Sequence, residues 1–337
     1  MRAVQIEKYG GSDVLSIVDR AVPSAKPGEV TVRLAYAGVN FTDVYRRQGH
    51  YARSGTYPTE LPLILGIEGG GEVAALGEEV SELAIGDRVV FFVPNGAYAE
   101  YAVANTSRIA RVPDDVSLDS AVALMIQGLT AHYLTHSAYA LKAGDTCLVH
   151  AAAGGVGQLL VQIAKLKGAR VIATTGSDQK AAVARRLGAD CVIPYRQTDF
   201  REAVLKITDG RGVDVVYDSV GKDTLHGSLR SLRPRGMCVL FGHSSGMVES
   251  IAPMDLAEAG SVFLTRPHMQ HYVATREELN DRMTDLFKWL AAGQLEIGVD
   301  RVLPLHGVAQ AHDLLEGRWT AGKLLLDCSR GPLDEKS

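Results

Sequence analysis

His150-Ala151-Ala152-Ala153-Gly154-Gly155-Val156-Gly157 follows an apolar run, Thr146–His150, and opens a helix pattern that continues to Lys167. Strand, glycine-rich turn and helix in that order form the context in which a G-x-G-x-x-G turn binds a dinucleotide. Aligned as Ala152-x-Gly154-x-x-Gly157, the stretch keeps the glycine that lets backbone approach a pyrophosphate. It also keeps the one that lets helix and strand pack closely. The first position is Ala, which resists the positive φ that glycine adopts freely. The pyrophosphate is expected on the helix N-terminus, where unpaired N–H groups and the helix dipole favour an anion. Ala153, Gly154, Gly155, Val156 and Gly157 are therefore assigned to cofactor binding.

Outward from this turn, strand and helix patterns alternate. Arg170–Thr174, Cys191–Pro194, Asp214–Tyr217 and Met237–Phe241 read as strands, with Ser261–Thr265 as a sixth at the sheet edge. Helices are expected over 178–187, 199–207 (N-cap Thr198 or Asp199), 223–232 and 277–292. This alternation predicts βαβ units and a doubly wound parallel sheet. The first 120 residues have a different grammar. Glu29–Val39 alternates apolar and polar positions, and Glu72–Leu76, Arg88–Val93 and Tyr98–Val103 are short strand candidates between Gly and Pro turns. They predict a small β-rich domain over residues 1–122, completed by about 298–337, beside an α/β domain over 123–297.

The sequence also indicates which nicotinamide cofactor binds. NAD enzymes place a carboxylate on the ribose 2′-hydroxyl about twenty residues beyond the glycine turn. Here the position reads Thr174-Thr175-Gly176-Ser177, with no acid to repel a 2′-phosphate. Lys180 lies just beyond, and Tyr195 and Arg196 follow the next strand. These features favour NADPH.

A net charge of −4 without a Lys/Arg block argues against nucleic acid as a partner. No stretch reaches the roughly 18 uncharged apolar residues of a membrane span, and Met1–Gly10 lacks a secretory pattern. A cytoplasmic protein is expected. Cys147, Cys191, Cys238 and Cys328 form no C-x-x-C pair, and Cys147 and Cys238 read as core residues. His132-x-x-x-His136 has helical metal-ligand spacing but no evident third ligand, and is expected to be a helix pair.

Gly38-Val39-Asn40-Phe41-Thr42-Asp43, Gly66-Ile67-Glu68-Gly69-Gly70-Gly71 and Gly86-Asp87-Arg88-Val89 resemble the GroES-like catalytic domain of the medium-chain dehydrogenase/reductase superfamily. The resemblance continues through the Ala151–Gly157 turn, Asp218–Gly221 and Phe241–Gly246, and covers essentially the whole chain. It is strongest to the zinc-free quinone oxidoreductases, the zeta-crystallin-like members. Zinc-dependent members carry Cys, His and Cys at the positions of Asn40, Ile67 and, nearby, Gln127. All three are changed here, and the four-Cys structural lobe has no counterpart, so no metal is expected. Without that Lewis acid, the acceptor must be one whose reduced anion is delocalised, such as a quinone or a conjugated enone.

The resemblance implies specific roles. Asn40 is the expected donor to a quinone oxygen, buttressed by Asp43. Tyr45 and Tyr51 are expected to line the acceptor slot or supply a proton, with packing as the alternative. Gln127 and Thr130 are expected to face the nicotinamide. Ser219, Val220, Phe241, Gly242 and Ser244 belong to loops expected to hold the nicotinamide ribose and carboxamide. Thr175, Gly176, Ser177, Lys180 and Tyr195 fall at the adenosine 2′-phosphate subsite. Arg318 matches a basic position that contacts cofactor in the same relatives, and Lys323 is a second basic residue nearby. The loop Gln48–Thr59 is longer than is typical, which bears on acceptor size. Relatives pair through the edge strand, so a homodimer through Ser261–Thr265 is expected. Quinone reduction, reduction of conjugated carbon–carbon double bonds, and a non-catalytic NADPH-binding or RNA-binding role are the competing functions.

Overall fold

The computed structural model describes residues 1–56 and 59–329; residues 57, 58 and 330–337, including two positions of the 48–59 loop, lie outside the described residues. Two compact units divide the chain. The first comprises Met1–Ile126, Thr275–Phe287 and Val299–Ser337, and the second Gln127–Ala274 and Lys288–Gly298.

In chain order the first unit supplies β1 (Arg2–Ile6), β2 (Ser16–Asp19), β3 (Glu29–Val39), α1 (Phe41–Arg47), β4 (Leu63–Ile64), β5 (Glu68–Leu76), β6 (Arg88–Phe92), β7 (Tyr101–Asn105) and β8 (Ile109–Arg111). β3 is the hub, pairing antiparallel with both β5 and β7. Its Val30, Val32 and Leu34 are buried with Val89 and Phe91 of β6, while Arg33 is exposed, as the alternation requires.

Helix α2 (Leu118–Tyr133) leads into β9 (Thr146–Val149), α3 (Gly155–Leu166), β10 (Arg170–Thr175), α4 (Asp178–Arg186), β11 (Cys191–Pro194), α5 (Phe200–Ile207), β12 (Val213–Asp218), α6 (Leu225–Leu229), β13 (Leu232–Leu240), α7 (Pro253–Glu258) and β14 (Phe263–Thr265). Every pairing in this sheet is parallel, in the order β11-β10-β9-β12-β13-β14. The order reverses between β9 and β12, so the ends of these strands form a topological switch point. After α8 (Arg276–Ala291), β15 (Val299–Pro304), α9 (Val308–Glu316) and β16 (Lys323–Asp327) complete the first unit, β16 pairing with β3.

Local chemistry sets several boundaries. Asp199 is the N-cap of α5, its Oδ1 accepting from the N–H groups of Arg201 (2.8 Å) and Glu202 (3.2 Å). The helix expected over 223–232 is only Leu225–Leu229. β13 starts early, at Leu232, through an irregularity opposite β12 where Arg235 takes a left-handed φ of 60°. Cys147 and Cys238 are buried in β9 and β13, and burial pushes the Cys147 thiol up to about 12. The rings of His132 and His136 stack 4.0 Å apart and both meet Trp289. Among the described residues, no group of three His, Cys, Asp or Glu could hold a metal ion, and no helix is long and apolar enough to cross a membrane.

Candidate active site

At the end of β3 the chain turns into α1, and Asn40 is the N-cap residue. Its N–H donates to Asp43 Oδ2 at 2.9 Å. Its side chain is held from both sides. Nδ2 donates to Glu68 Oε1 at 2.7 Å, and Oδ1 accepts from Lys323 Nζ at 2.9 Å. An ammonium only donates and an ionised carboxylate only accepts, so these partners fix which way the amide faces. Lys323 also bonds Val39 O (3.2 Å) and Glu68 Oε1, and Glu68 Oε2 accepts from Ile126 N at 2.7 Å. Glu68 and Lys323 are fully buried. Gly38 makes room for them, since a Cβ there would lie 2.2 Å from Glu68 Oε1.

Asp43 is also fully buried. Its Oδ2 accepts from Tyr98 OH at 3.0 Å as well as from Asn40, and its Oδ1 has no hydrogen-bond partner. Burial pushes the carboxyl up to about 7, against the hydrogen bonds from Asn40 and Tyr98 and the charges of Arg46 and Lys323. Behind Tyr98 stands His312, whose Nδ1 lies 3.3 Å from Arg47 and whose Nε2 lies 3.4 Å from the Tyr98 hydroxyl. Because arginine only donates, Nδ1 is the acceptor and Nε2 carries the hydrogen. Burial, with the Arg47 charge, lowers His312 to about 3. Tyr45 and Tyr51 are buried in an aromatic group, ring centroids 6.0 Å apart and edge to face, with His50 stacked 5.6 Å from Tyr45.

In the second unit the glycine turn runs from Ala151, which takes the left-handed φ of 48°; the strained position lies one residue before the Ala152 of the alignment. Gly154 caps α3. A Cβ on Gly157 would lie 2.4 Å from Ala151 O, so only glycine permits this approach of helix to strand. A Cβ on Gly155 would lie 2.0 Å from Gln127 Oε1, which brings Gln127 onto the turn, while Thr130 is half-buried on the same helix. At the end of β10, Gly176 lies under Tyr195, whose hydroxyl is 2.7 Å from where a Cβ would be. Ser177 caps α4 by accepting from the N–H of Lys180 at 3.3 Å. The loops after β12 and β13 interlock: Ser244 N donates to Ser219 O (3.2 Å), Ser245 N to Val220 O (2.9 Å) and Phe241 N to Asp218 O (2.8 Å). Gly242 presses on Ser219, leaving no space for a side chain. Arg318 lies apart from these residues in sequence, in the turn after α9 of the first unit, with a φ of 57°.

Residues 26–114 match the family described as alcohol dehydrogenase GroES-like domain, and residues 155–291 the family described as zinc-binding dehydrogenase. A quinone oxidoreductase of Escherichia coli is 40% identical over 326 residues, 96% of this chain and 98% of that one. A crystal structure of Escherichia coli quinone oxidoreductase complexed with NADPH superposes with a TM-score of 0.94 at 39% identity, covering 97% of this chain and all of that one. The chain belongs to the quinone oxidoreductase family, within the medium-chain dehydrogenase/reductase superfamily. A 2-haloacrylate reductase of a Burkholderia species is 42% identical over 96% of this chain and 98% of its own length.

Asn40, where the resemblance implies a zinc ligand in other superfamily members, is an amide locked between an ammonium and a carboxylate. Ile67, where the resemblance implies the second ligand, is a buried apolar side chain. The residues of the second unit fit NADPH. Thr175 Oγ1 is buried without a partner at the end of β10, beside Gly176 and Tyr195, and no carboxylate stands in that stretch. The Glu68–Lys323 pair is the feature that the sequence reading missed. Its signal was present: an acid before Gly69-Gly70-Gly71 and a lysine before Leu324-Leu325-Leu326 are charges in apolar strands, and buried charges require partners.

Proposed function

We propose that the chain is an NADPH-dependent quinone reductase that works without a metal. The observation that carries this reading is the likeness, across nearly the whole chain, to quinone oxidoreductases, one of them solved with NADPH. The balanced reaction consumes NADPH, a proton and a quinone, and yields NADP⁺ and the hydroquinone. NADPH, when bound, supplies the hydride.

The remaining chemistry falls to side chains and backbone. Ala153, Gly154, Gly155, Val156 and Gly157 hold the pyrophosphate at the N-terminus of α3. Thr175, Gly176, Ser177, Lys180 and Tyr195 take the 2′-phosphate. Thr130, Ser219, Val220, Phe241, Gly242 and Ser244 orient the nicotinamide half, with Arg318 as a further cofactor contact. The second hydrogen of Asn40 Nδ2, which makes only a long 3.4 Å contact with Gly38 O while the first is given to Glu68, is shared with the developing oxyanion. Lys323 and Glu68 hold that amide in place before the reaction, so no reorganisation is needed as charge develops. Asp43 supports Asn40 through its backbone N–H, Gln127 faces the nicotinamide, and Tyr45 and Tyr51 line the acceptor slot or supply the proton. The chain works in the cytoplasm as a homodimer joined through β14, where Phe263 is 57% exposed on the sheet edge.

Consumption of NADPH with a small para-quinone, repeated with NADH and with a chelator, tests the reading. Rapid turnover that prefers NADPH and ignores chelator is expected. Tight NADPH binding without turnover of a quinone or an enone would sink the quinone assignment and point to an untested acceptor or the non-catalytic reading. The likeness to a 2-haloacrylate reductase supports a second activity, reduction of a conjugated carbon–carbon double bond. That reaction also requires protonation at carbon. Loss of 2-haloacrylate or enone turnover in Tyr45→Phe or Tyr51→Phe, with quinone turnover kept, is the expected signature.

A further inference from the structure

Three strand ends lie side by side at the reversal of the parallel sheet, those of β10, β9 and β12. His150 is the residue directly after β9 and the first of the glycine turn. Its backbone N–H donates to Tyr217 O of β12 at 3.1 Å. Its imidazole reaches both ways: Nδ1 lies 2.9 Å from Thr174 Oγ1 on β10, and Nε2 lies 3.0 Å from Ser228 Oγ on α6. Ser228 donates in turn to Asp218 Oδ2 at 2.7 Å. Asp218 Oδ1 accepts from the N–H groups of Val220 (2.8 Å) and Gly221 (3.0 Å) and so shapes the loop after β12. All four side chains are buried.

The direction of each hydrogen bond follows from its end. Asp218 receives donors on both oxygens, so the single hydroxyl hydrogen of Ser228 is committed to it. Ser228 Oγ can then only accept from His150, which places the imidazole hydrogen on Nε2 and leaves Nδ1 to accept from Thr174. The neutral ring that this pattern requires is favoured by burial, which lowers the imidazole against the opposing pull of Asp218. Phe200 packs edge-on against the ring at 4.8 Å and fills the space over Gly227, where a Cβ would come within 2.5 Å of it. The imidazole thus has one position and one tautomer.

We propose that His150 is a positioning residue for the nicotinamide cofactor, aligning the glycine turn, the end of β10 and the Ser219–Gly221 loop through the chain Thr174–His150–Ser228–Asp218. This rests on the NADPH reading above. The relay differs from three separate structural contacts in one respect: breaking it at any link removes the same alignment, so losses in cofactor affinity are shared and do not add.

The test is a double-mutant cycle on NADPH affinity, measured by fluorescence titration, with quinone kinetics alongside. His150→Phe is expected to weaken NADPH binding about tenfold, with KM for NADPH rising by more than kcat falls. His150→Gln, which offers one amide donor to Ser228 and one carbonyl to Thr174, is expected to recover most of that loss. His150→Phe with Ser228→Ala is expected to bind no more weakly than His150→Phe alone. Should the Phe variant fail to fold, Thr174→Val and Ser228→Ala form the same cycle. Additive losses, or lowered melting temperatures with NADPH affinity unchanged, overturn the relay while wild-type NADPH binding stands. A wild-type chain that binds no NADPH overturns the cofactor reading, and the relay with it.

Discussion

Two buried groups, Asp43 and His312, sit at either side of Tyr98 and titrate in opposite senses. Asp43 is raised to about 7, so the folded state holds its proton more tightly than the unfolded one. Its contribution to stability is full below the unfolded value near 4 and is lost as pH rises towards 7. His312 is lowered to about 3, so its contribution is full above about 6.5 and is lost as pH falls towards 3. The two windows overlap and largely cancel. Denaturant melts between pH 4 and 7 are expected to show this: Asp43→Asn leaves a stability that falls as pH drops, and His312→Leu one that falls as pH rises. At about 1.4 kcal/mol per pKa unit, each slope amounts to roughly 4 kcal/mol across its window. Parallel pH profiles in both variants would contradict the assignment. At Lys323 the physics is that of a broken buried pair. Lys323→Met is expected to cost about 3–5 kcal/mol by stranding the Glu68 carboxylate. Adding Glu68→Gln should restore most of that stability in thermal melts without restoring quinone turnover, because Asn40 has lost its ammonium. The residue identities at 40, 43, 68 and 323 were plain in the sequence. That Asn40 faces two charges could not be read, because Glu68 and Lys323 are 255 positions apart.

At the level of elements, the glycine turn and α3 were legible because their chemistry is local. A strand, a turn that tolerates close backbone approach and a helix N-terminus all lie within about twenty residues. The glycines are not equivalent, however. Gly157→Ala would drive its Cβ into the carbonyl of Ala151, a backbone atom 2.4 Å away, and is expected to cost about 1–3 kcal/mol and to weaken NADPH binding. Gly155→Ala meets only the end of Gln127, a side chain that can rotate, and its effect on stability should be much smaller. Comparing melts and NADPH affinities of the two variants checks the distinction. Where an element depends on distant neighbours, the sequence pattern misled. α6 is short and β13 begins early because pairing with β12 begins at Val213, and helical periodicity in residues 223–232 does not register a partner strand.

For the whole molecule, β14 ends the six-stranded sheet and presents Phe263 to solvent. If two copies join there, Phe263→Lys should convert a dimer into a monomer by light scattering while leaving NADPH affinity close to wild type. A wild-type chain that scatters as a monomer would remove the proposal. The sequence by itself determined the parallel sheet, its glycine turn, the β-rich partner and the absence of an acid at the end of β10. Each of these is written in short-range periodicity, in glycine chemistry or in a single residue type. Only the tertiary structure decided that Lys323 closes on Asn40 and Glu68, that the strained turn residue is Ala151, and that His150 joins β10 to α6. These depend on which strands become neighbours. Strand order arises from long-range pairing and shared burial, so chain segments hundreds of residues apart supply opposite sides of one buried cluster.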